Sequence, residues 1–207
     1  MSRMSYNGRR ICLNSGLIGC FWLMGWGCSG EGADTDTRTR IPAFSLVSQS
    51  GEKITNANLR NKLYAAGFFF TRCPGICKDL TESFARIQDS LQMERNFRLV
   101  LHTVDPAHDS VPVLRAYAQK YGANPSQWYF LTGGKEEIYK LAQEGYFLSA
   151  DFNDGTPENI THSGKIVLVD GEGFVLRYYN GLSHGEVGEL INDVRESLHP
   201  NHRARHY

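Results

Sequence analysis

An excess of charge of either sign is missing from this sequence. Its 207 residues carry 22 lysines and arginines and 22 aspartates and glutamates, so the formal net charge is zero. A domain that binds nucleic acid needs a basic face, and binding to an anionic membrane surface needs a basic patch. The composition therefore predicts no nucleic-acid partner. Internal repeats are also missing, and the length suits one domain with extensions.

Evenly distributed cysteines are missing as well. Of the five cysteines, Cys12, Cys20 and Cys28 lie in the first 28 residues, and only Cys73 and Cys77 lie further along. A small secreted domain held together by disulfides would spread its cysteines along the chain. Two thiols four residues apart indicate a chemical role instead of a structural one.

The first 28 residues have the pattern of an export segment. Basic residues, Arg9 and Arg10 among them, precede an uncharged run from Ile11 to Ser29. A basic start followed by an apolar stretch is typical of signal peptides. We therefore expect residues 1–28 to direct or anchor the body outside the cytoplasm, and residues 29–40, which are small and polar, to form a linker.

The form of this segment stays open. A lipid could be attached at Cys20, which follows Leu17-Ile18-Gly19, or at Cys28. The uncharged run is also just long enough to span a bilayer as an uncleaved anchor. The remaining alternatives are a cleaved signal peptide and a disordered leader, of which the export interpretation is preferred. All but the last predict an exported body, either tethered to a membrane or free.

Strand-like and helix-like segments alternate in the body, residues 41–199. The apolar run Leu63–Phe70 is typical of a strand buried on both faces of a parallel sheet. Gly171-Glu172-Gly173 predicts a terminal hairpin, and Ser183 predicts the start of a final helix. The predicted fold class is α/β: a thioredoxin-like mixed sheet flanked by helices, with an N-terminal extension and a terminal hairpin plus helix. Residues 200–207 are expected to form a flexible tail.

The expected elements follow from hydrophobic patterning and turn residues. The predicted strands are Pro42–Val47 (an edge strand), Lys53–Thr55, Leu63–Phe70, Phe97–Val104, Gln127–Leu131, Tyr146–Ala150, Ile166–Asp170 and Phe174–Tyr179. The predicted helices are Asp79–Gln92, Pro112–Tyr121, Lys135–Gln143 and Glu186–Leu198.

The two body cysteines fall where the first long buried strand meets its helix. The positive end of a helix dipole stabilises thiolates there, and Arg72 and Lys78 act in the same direction. Cys73 and Cys77 can close a disulfide or bind one soft metal ion such as Cu(I). The alternative is a pair of buried cysteines that serve only as small apolar side chains.

Seven histidines compete for the role of a third metal ligand. His162 lies in the loop before the strand Ile166–Asp170, and in a thioredoxin-like fold this loop passes beside the dithiol. It is a candidate ligand on equal terms with an ordinary packed histidine. His102 lies in the middle of a strand and is interpreted as a core residue. His108 and His184 are expected at the surface, and the three C-terminal histidines in a flexible tail.

Asp105 and Asp109 lie four residues apart around a proline. They could form an acid pair, with a minor role in metal or partner binding. The preferred interpretation is structural: Asp105 ends a strand near the dithiol, and Asp109 caps the next helix.

Taken together, five segments resemble the Sco/SenC family of copper-binding, thioredoxin-like proteins. The dithiol segment resembles the family's Cys-Pro-x-x-Cys metal loop. The others resemble its Asp-Pro-x-x-Asp-Thr-Pro segment, its Trp-x-x-Leu-Thr-Gly strand and its Asp-His-Ser…Leu-x-Asp region. In chain order the matching segments are Phe70–Cys77, Thr103–Pro112, Trp128–Gly133, Thr161–Ser163 and Leu168–Gly171.

The resemblance implies one copper ion per domain, Cu(I) or Cu(II), bound by Cys73, Cys77 and His162. It implies a location on the periplasmic side of the cytoplasmic membrane, with tethering through an N-terminal anchor or lipid. It further implies delivery of copper to the binuclear copper site of cytochrome c oxidase, or reduction of that site's cysteines.

Three residues depart from the family pattern: Gly75 and Thr161 replace acids, and Lys78 replaces a proline. The loss of two acids makes the site more positive, which favours thiolates and a redox role. The hypotheses are therefore a copper metallochaperone and a thiol–disulfide oxidoreductase in which Cys73 attacks first. A peroxidase of the same fold is a third, although no peroxidatic signature is present.

Overall fold

The protein is described by a computed structural model over residues 38–148 and 164–200. Within these residues the strands form one seven-stranded sheet in the order β2-β1-β5-β4-β3-β6-β7. The strands are β1 (Ser45–Ser48), β2 (Lys53–Thr55), β3 (Leu63–Phe69), β4 (Phe97–Thr103), β5 (Trp128–Thr132), β6 (Lys165–Val169) and β7 (Val175–Asn180). The helices are α1 (Asn56–Leu59), α2 (Cys77–Leu91), α3 (Val111–Lys120), α4 (Lys135–Lys140) and α5 (His184–Leu198).

Three parallel strands form the centre of the sheet. β4 pairs in parallel with β3 on one side and with β5 on the other, and α2 and α3 make the two crossovers. Every side chain of β3 is buried, which explains its uninterrupted apolar sequence. Because parallel strands point the same way, the ends of β3 and β4 meet at one edge of the sheet.

Antiparallel strands complete the sheet on both sides. β1 pairs with β5 and β2, while β6 pairs with β3 and β7. The hairpin β6–β7 is followed by α5, whose N-cap Ser183 accepts a hydrogen bond from the backbone N–H of Glu186 at 3.4 Å. The predicted α/β architecture, with its mixed sheet, terminal hairpin and final helix, is confirmed.

A glycine lets α2 lie close against the centre of the sheet. A Cβ atom on Gly67 would lie 3.1 Å from Cζ of Phe84 and 3.2 Å from Cδ2 of Leu101. Phe84, on α2, also stacks on Trp128 of β5 with ring centroids 6.0 Å apart. The helix therefore packs against β3 and β5 so closely that a side chain at position 67 would require its neighbours to shift by a few tenths of an ångström.

On the opposite face of the sheet, a histidine is packed in an aromatic core. His102 is fully buried and stacks on Phe68 with ring centroids 5.0 Å apart. Its Nε2 lies 3.2 Å from the hydroxyl of Tyr146, and its Nδ1 has no hydrogen-bond partner among the described residues. The interpretation of His102 as a core residue is confirmed.

Two predicted strands differ from the structure. The strand expected at Pro42–Val47 is β1, and it is second from the edge because β2 covers it. The strand expected at Tyr146–Ala150 is absent from its described part, Tyr146–Leu148. A π-helical turn at Leu141–Gly145 turns the chain there and places the Tyr146 ring in the core. Sequence periodicity does not distinguish a buried aromatic after a helix from one in a strand.

Several predictions concern residues outside the described part of the chain. These are the export segment 1–28, most of the linker, His162 and the C-terminal tail beyond residue 200. Within the described residues, no helix is both long enough and apolar enough to cross a membrane.

We expect His102 to make the protein less stable in acid. Burial lowers the pKa of His102 to about 3, whereas an unfolded chain binds a proton at about pH 6.5. Below that pH the unfolded state takes up a proton that the folded state excludes. The free energy of unfolding should therefore fall by up to ~1.4 kcal/mol per pH unit between about pH 6 and pH 3.

The measurement is denaturant unfolding of wild type and His102→Phe at several pH values from 7 to 4. The variant keeps an aromatic ring in the site and removes the titrating group, so its decline should be shallower. Equal declines would contradict the assignment.

Candidate dithiol and metal site

A tight turn carries the chain from β3 to Cys73. β3 ends at Phe69, and the backbone N–H of Cys73 donates to the carbonyl of Phe70 at 3.3 Å. The chain then reaches α2, whose first residue is Cys77. Only the second cysteine therefore lies on the helix; the first lies in the loop before it. The expected dithiol at the strand–helix junction is present, although the two cysteines do not share one helical face.

The two thiols differ sharply in exposure. Cys77 is 1% exposed and belongs to the hydrophobic core, while Cys73 is only partly buried. Both cysteines are free thiols, and the neighbouring Cys73 is among the causes that raise the pKa of Cys77. A reagent or partner arriving from solvent therefore meets Cys73 first.

Burial controls the acidity of the inner thiol. The pKa of Cys77 is raised well above its usual value, chiefly by desolvation and next by its hydrogen bond with Cys73. A backbone hydrogen bond with Phe70 acts in the opposite direction, and the charge of Asp109 raises the pKa further. The expectation that the helix N-terminus would make this thiol acidic is wrong for Cys77.

The two cations beside the dithiol both contact carboxylates. A guanidinium nitrogen of Arg72 lies 2.6 Å from Oδ2 of Asp105, and Nζ of Lys78 lies 3.8 Å from Oε1 of Glu82. These pairs offset the positive setting that the sequence suggests. Arg72 is largely exposed, so its pair contributes little to stability.

Asp109 has a different role from the one predicted. The N-cap of α3 is Ser110, and no side chain caps that helix end. Asp109 is instead fully buried and accepts hydrogen bonds from Thr71 and Thr103. The carboxylate therefore joins the turn before Cys73 to the end of β4. The sequence did not indicate these contacts. Thr71 is distant from Asp109 along the chain, and Thr103 belongs to the preceding strand, β4.

Two further side chains surround Cys77 that the sequence analysis did not single out. The hydroxyl of Thr81 donates to the carbonyl of Cys77 at 2.7 Å and lies 3.1 Å from the hydroxyl of Tyr117. Burial raises the pKa of Tyr117. The four-residue spacing of Cys77 and Thr81 on a helix was the one available signal for this contact.

The described histidines lie away from any cluster of metal ligands. His108 is exposed in the loop after β4, and His184 is exposed beside Arg86. His199 lies 3.0 Å from Glu94. Within residues 38–148 and 164–200, no group of three or more His, Cys, Asp or Glu side chains could hold a metal ion. His162 lies outside those residues.

A dithiol between a parallel strand and its helix, with a terminal hairpin and helix after it, defines a thioredoxin-like dithiol protein. Comparison with known families gives the particular family. The SCO1/SenC family profile matches residues 32–199. The chain therefore belongs to the SCO1/SenC family.

Solved structures support the fold. A SCO1/SenC family lipoprotein from Bacillus anthracis is 26% identical, with a TM-score of 0.69, over 77% of this chain and 95% of that one. BsSco, described with a disulfide switch and as a member of a family of cytochrome c oxidase assembly proteins, is 27% identical, with a TM-score of 0.68, over 78% and 95%. ScoI of Arabidopsis thaliana, solved with copper bound, is 24% identical, with a TM-score of 0.59, over 77% and 98%.

We expect alkylation to distinguish the two thiols. In the reduced, folded protein, iodoacetamide should modify Cys73 at least roughly tenfold faster than Cys77, because Cys77 is buried and its pKa is raised. Initial rates are measured by mass spectrometry of the two cysteine-containing peptides. In denaturant the two rates should converge, and equal rates in the folded protein would contradict the structure.

Proposed function

We propose that the protein is a copper metallochaperone that delivers copper to the binuclear copper site of cytochrome c oxidase. Copper is its cargo, one ion per domain, held by Cys73, Cys77 and His162. The observation that carries the proposal is the pair of free thiols at the junction of β3 and α2, one reachable from solvent and one anchored in the core. Soft thiolate ligands suit Cu(I), and an imidazole extends the site to Cu(II).

The same asymmetry suits transfer of the cargo. Cys77 is held by the first turn of α2, while Cys73 lies in a loop at the surface. A partner's ligand can replace Cys73 first, while Cys77 still holds the ion. Binding displaces thiol protons, so uptake of copper releases protons to solvent.

The position of Gly164 supports the inclusion of His162 in the proposed ligand set. The nearest described residue after it is Gly164, whose carbonyl accepts a hydrogen bond from the N–H of Gly181 at 2.8 Å. A Cβ on Gly181 would lie 2.5 Å from Cδ1 of Leu80, three residues after Cys77. The chain at Gly164, two residues after His162 in the sequence, therefore passes close to the first turn of α2.

The relatives agree with this proposal. BsSco is described as a cytochrome c oxidase assembly protein, and the Arabidopsis relative that shares the fold was solved with copper bound. The Bacillus anthracis relative is described as a lipoprotein. We accordingly propose that residues 1–28 export this chain and tether it on the periplasmic side of the cytoplasmic membrane, through an anchor or a lipid at Cys20 or Cys28.

The test is an anaerobic Cu(I) titration of the reduced full-length chain. The three N-terminal cysteines are changed to Ser, so that only the proposed ligands can supply thiols. One equivalent should bind. Cys73→Ala and Cys77→Ala should abolish most of this binding. His162→Ala should lower the Cu(I) affinity by at least ~10–100-fold, which is the loss seen when a residue that only supports a metal ligand is removed.

His108→Ala is the matched control, because that histidine is exposed and lies outside the proposed ligand set. It should bind as wild type does. Absence of Cu(I) binding, or binding that is indifferent to Cys73→Ala, would refute the chaperone.

The exposure difference also favours a second candidate, a thiol–disulfide oxidoreductase acting on the same client or on another exported protein. The Cys73 thiolate would attack a client disulfide and form a mixed disulfide, releasing one client thiolate. Cys77 would then lose its proton and attack Cys73, releasing the second client thiolate and leaving a Cys73–Cys77 disulfide.

We expect Cys77→Ala to accumulate the mixed disulfide when the reduced protein meets an oxidised copper-site domain, because the resolving thiol is missing. Cys73→Ala should form none, since the remaining thiol is buried. The adduct is measured by non-reducing electrophoresis and mass spectrometry. If neither variant is trapped and wild type does not reduce the domain, this second function is wrong.

A further inference from the structure

The turn that presents Cys73 is held by the loop that follows β4. The two central residues of the turn are Thr71 and Arg72, and each contacts one carboxylate of that loop. The backbone N–H of Thr71 donates to Oδ2 of Asp109 at 3.1 Å, and its hydroxyl donates to Oδ1 at 2.5 Å. Arg72 pairs with Asp105.

The Asp109 contact is buried, whereas the Asp105 contact is at the surface. Asp109 has no exposed surface, and Arg72 is 61% exposed. A hydrogen bond shielded from water is stronger than an exposed ion pair, which solvent screens. Asp109 therefore holds the turn more firmly.

The carboxylate is itself fixed to the sheet. The hydroxyl of Thr103, the last residue of β4, donates to Oδ2 of Asp109, and the N–H of Asp105 donates to the Thr103 hydroxyl at 3.1 Å. The N–H of Val104 also donates to the carbonyl of Phe69, so the two strand ends are directly joined. Oδ2 of Asp109 thus contacts both the end of β4 and the turn, while Oδ1 adds a second contact to the turn.

The contacts of Asp109 with Thr71 and Thr103 affect where Cys73 lies relative to Cys77. The turn begins at Phe70, whose carbonyl accepts from the N–H of Cys73. Cys77 is fixed independently as the first residue of α2, so the position of Cys73 depends on the turn. Holding Thr71 therefore holds Cys73 in place beside Cys77.

We propose that Asp109 is a positioning residue for the dithiol: by binding Thr71 and Thr103 together, it holds the Cys73 turn where the two thiols meet. This inference rests on the proposed function only in taking Cys73 and Cys77 as the working pair. Preorganisation of two groups raises their effective concentration, so the clamp favours closure of the disulfide.

The test measures the dithiol without metal, in the full-length chain with Cys12, Cys20 and Cys28 changed to Ser. Oxidised glutathione accepts two electrons and two protons from the two thiols, which yields the Cys73–Cys77 disulfide and two reduced glutathiones. Asp109→Ala should lower the equilibrium constant of this exchange about tenfold, a rise of ~30 mV in the reduction potential. It should also raise the initial alkylation rate of Cys73 several-fold.

Thr71→Val keeps the shape and the backbone N–H but removes the hydroxyl donor. It should shift both quantities in the same directions, and less than Asp109→Ala does. Thr71→Ser restores the donor and should return both to wild-type values. Thr71→Val also serves as the test if Asp109→Ala does not fold.

Val194→Ala, in the core of α5, is the control for loss of stability alone. It should lower the free energy of unfolding and leave the exchange constant and the Cys73 alkylation rate unchanged. If Asp109→Ala and Thr71→Val behave as Val194→Ala does, or shift the constant upwards, the positioning role is wrong. A wild-type protein that binds no Cu(I) would refute the chaperone and leave this inference standing.

Discussion

The parallel pairing of β3 and β4 is the constraint on which the rest of the site depends. Their register runs from Leu63 opposite Phe97 to Phe69 opposite Thr103, so both strands end side by side at one edge of the sheet. The loop after β4 therefore lies beside the turn after β3. An antiparallel pair would have placed the two loops at opposite edges, with Asp109 far from Thr71.

At the inner thiol, Cys77, the effect of burial on the pKa is larger than the opposite effect of the helix dipole. The dipole of a helix contributes about 0.3–1 kcal/mol to a charge at its N-terminus. Desolvation of a buried group shifts a pKa by up to about 3–5 units, each worth ~1.4 kcal/mol. At Cys77 the larger effect prevails, and the pKa rises. Cys73 is only partly buried, so the two sulfurs are unequally accessible to any reagent or partner.

Much of the fold could be predicted from the sequence, because its signals are local. The apolar run of β3, the Gly-Glu-Gly turn and the Ser183 cap each specify their element without reference to the rest of the chain. The strand wrongly expected at Tyr146 shows the limit of local signals. The apolar character of this segment indicates that it is buried, but Tyr146 is buried beside His102 without being part of a strand. Likewise, β1 was predicted to be an edge strand, because nothing in its own sequence indicates that β2 pairs with its outer side.

In the candidate site, too, local features could be predicted from the sequence and tertiary contacts could not. The dithiol was readable because its spacing and its strand–helix setting are contiguous in sequence. The role of Asp109 was not, since a cap and a tertiary clamp use the same residue type, and only the sheet register brings Thr71 within reach. Thr81 and Tyr117 were missed because their roles come from their contacts with the Cys77 carbonyl and with each other, and not from a recognisable motif.

Gly67 gives the site a dependence on a position that never touches a sulfur. Phe84 lies two helical turns after Cys77, and a methyl group on residue 67 would lie 3.1 Å from its Cζ atom, so that Phe84 would have to shift by a few tenths of an ångström. Phe84 belongs to the same helix whose first residue is the inner thiol. The packing of the helix that buries Cys77 therefore depends on a residue without a side chain in the middle of a strand.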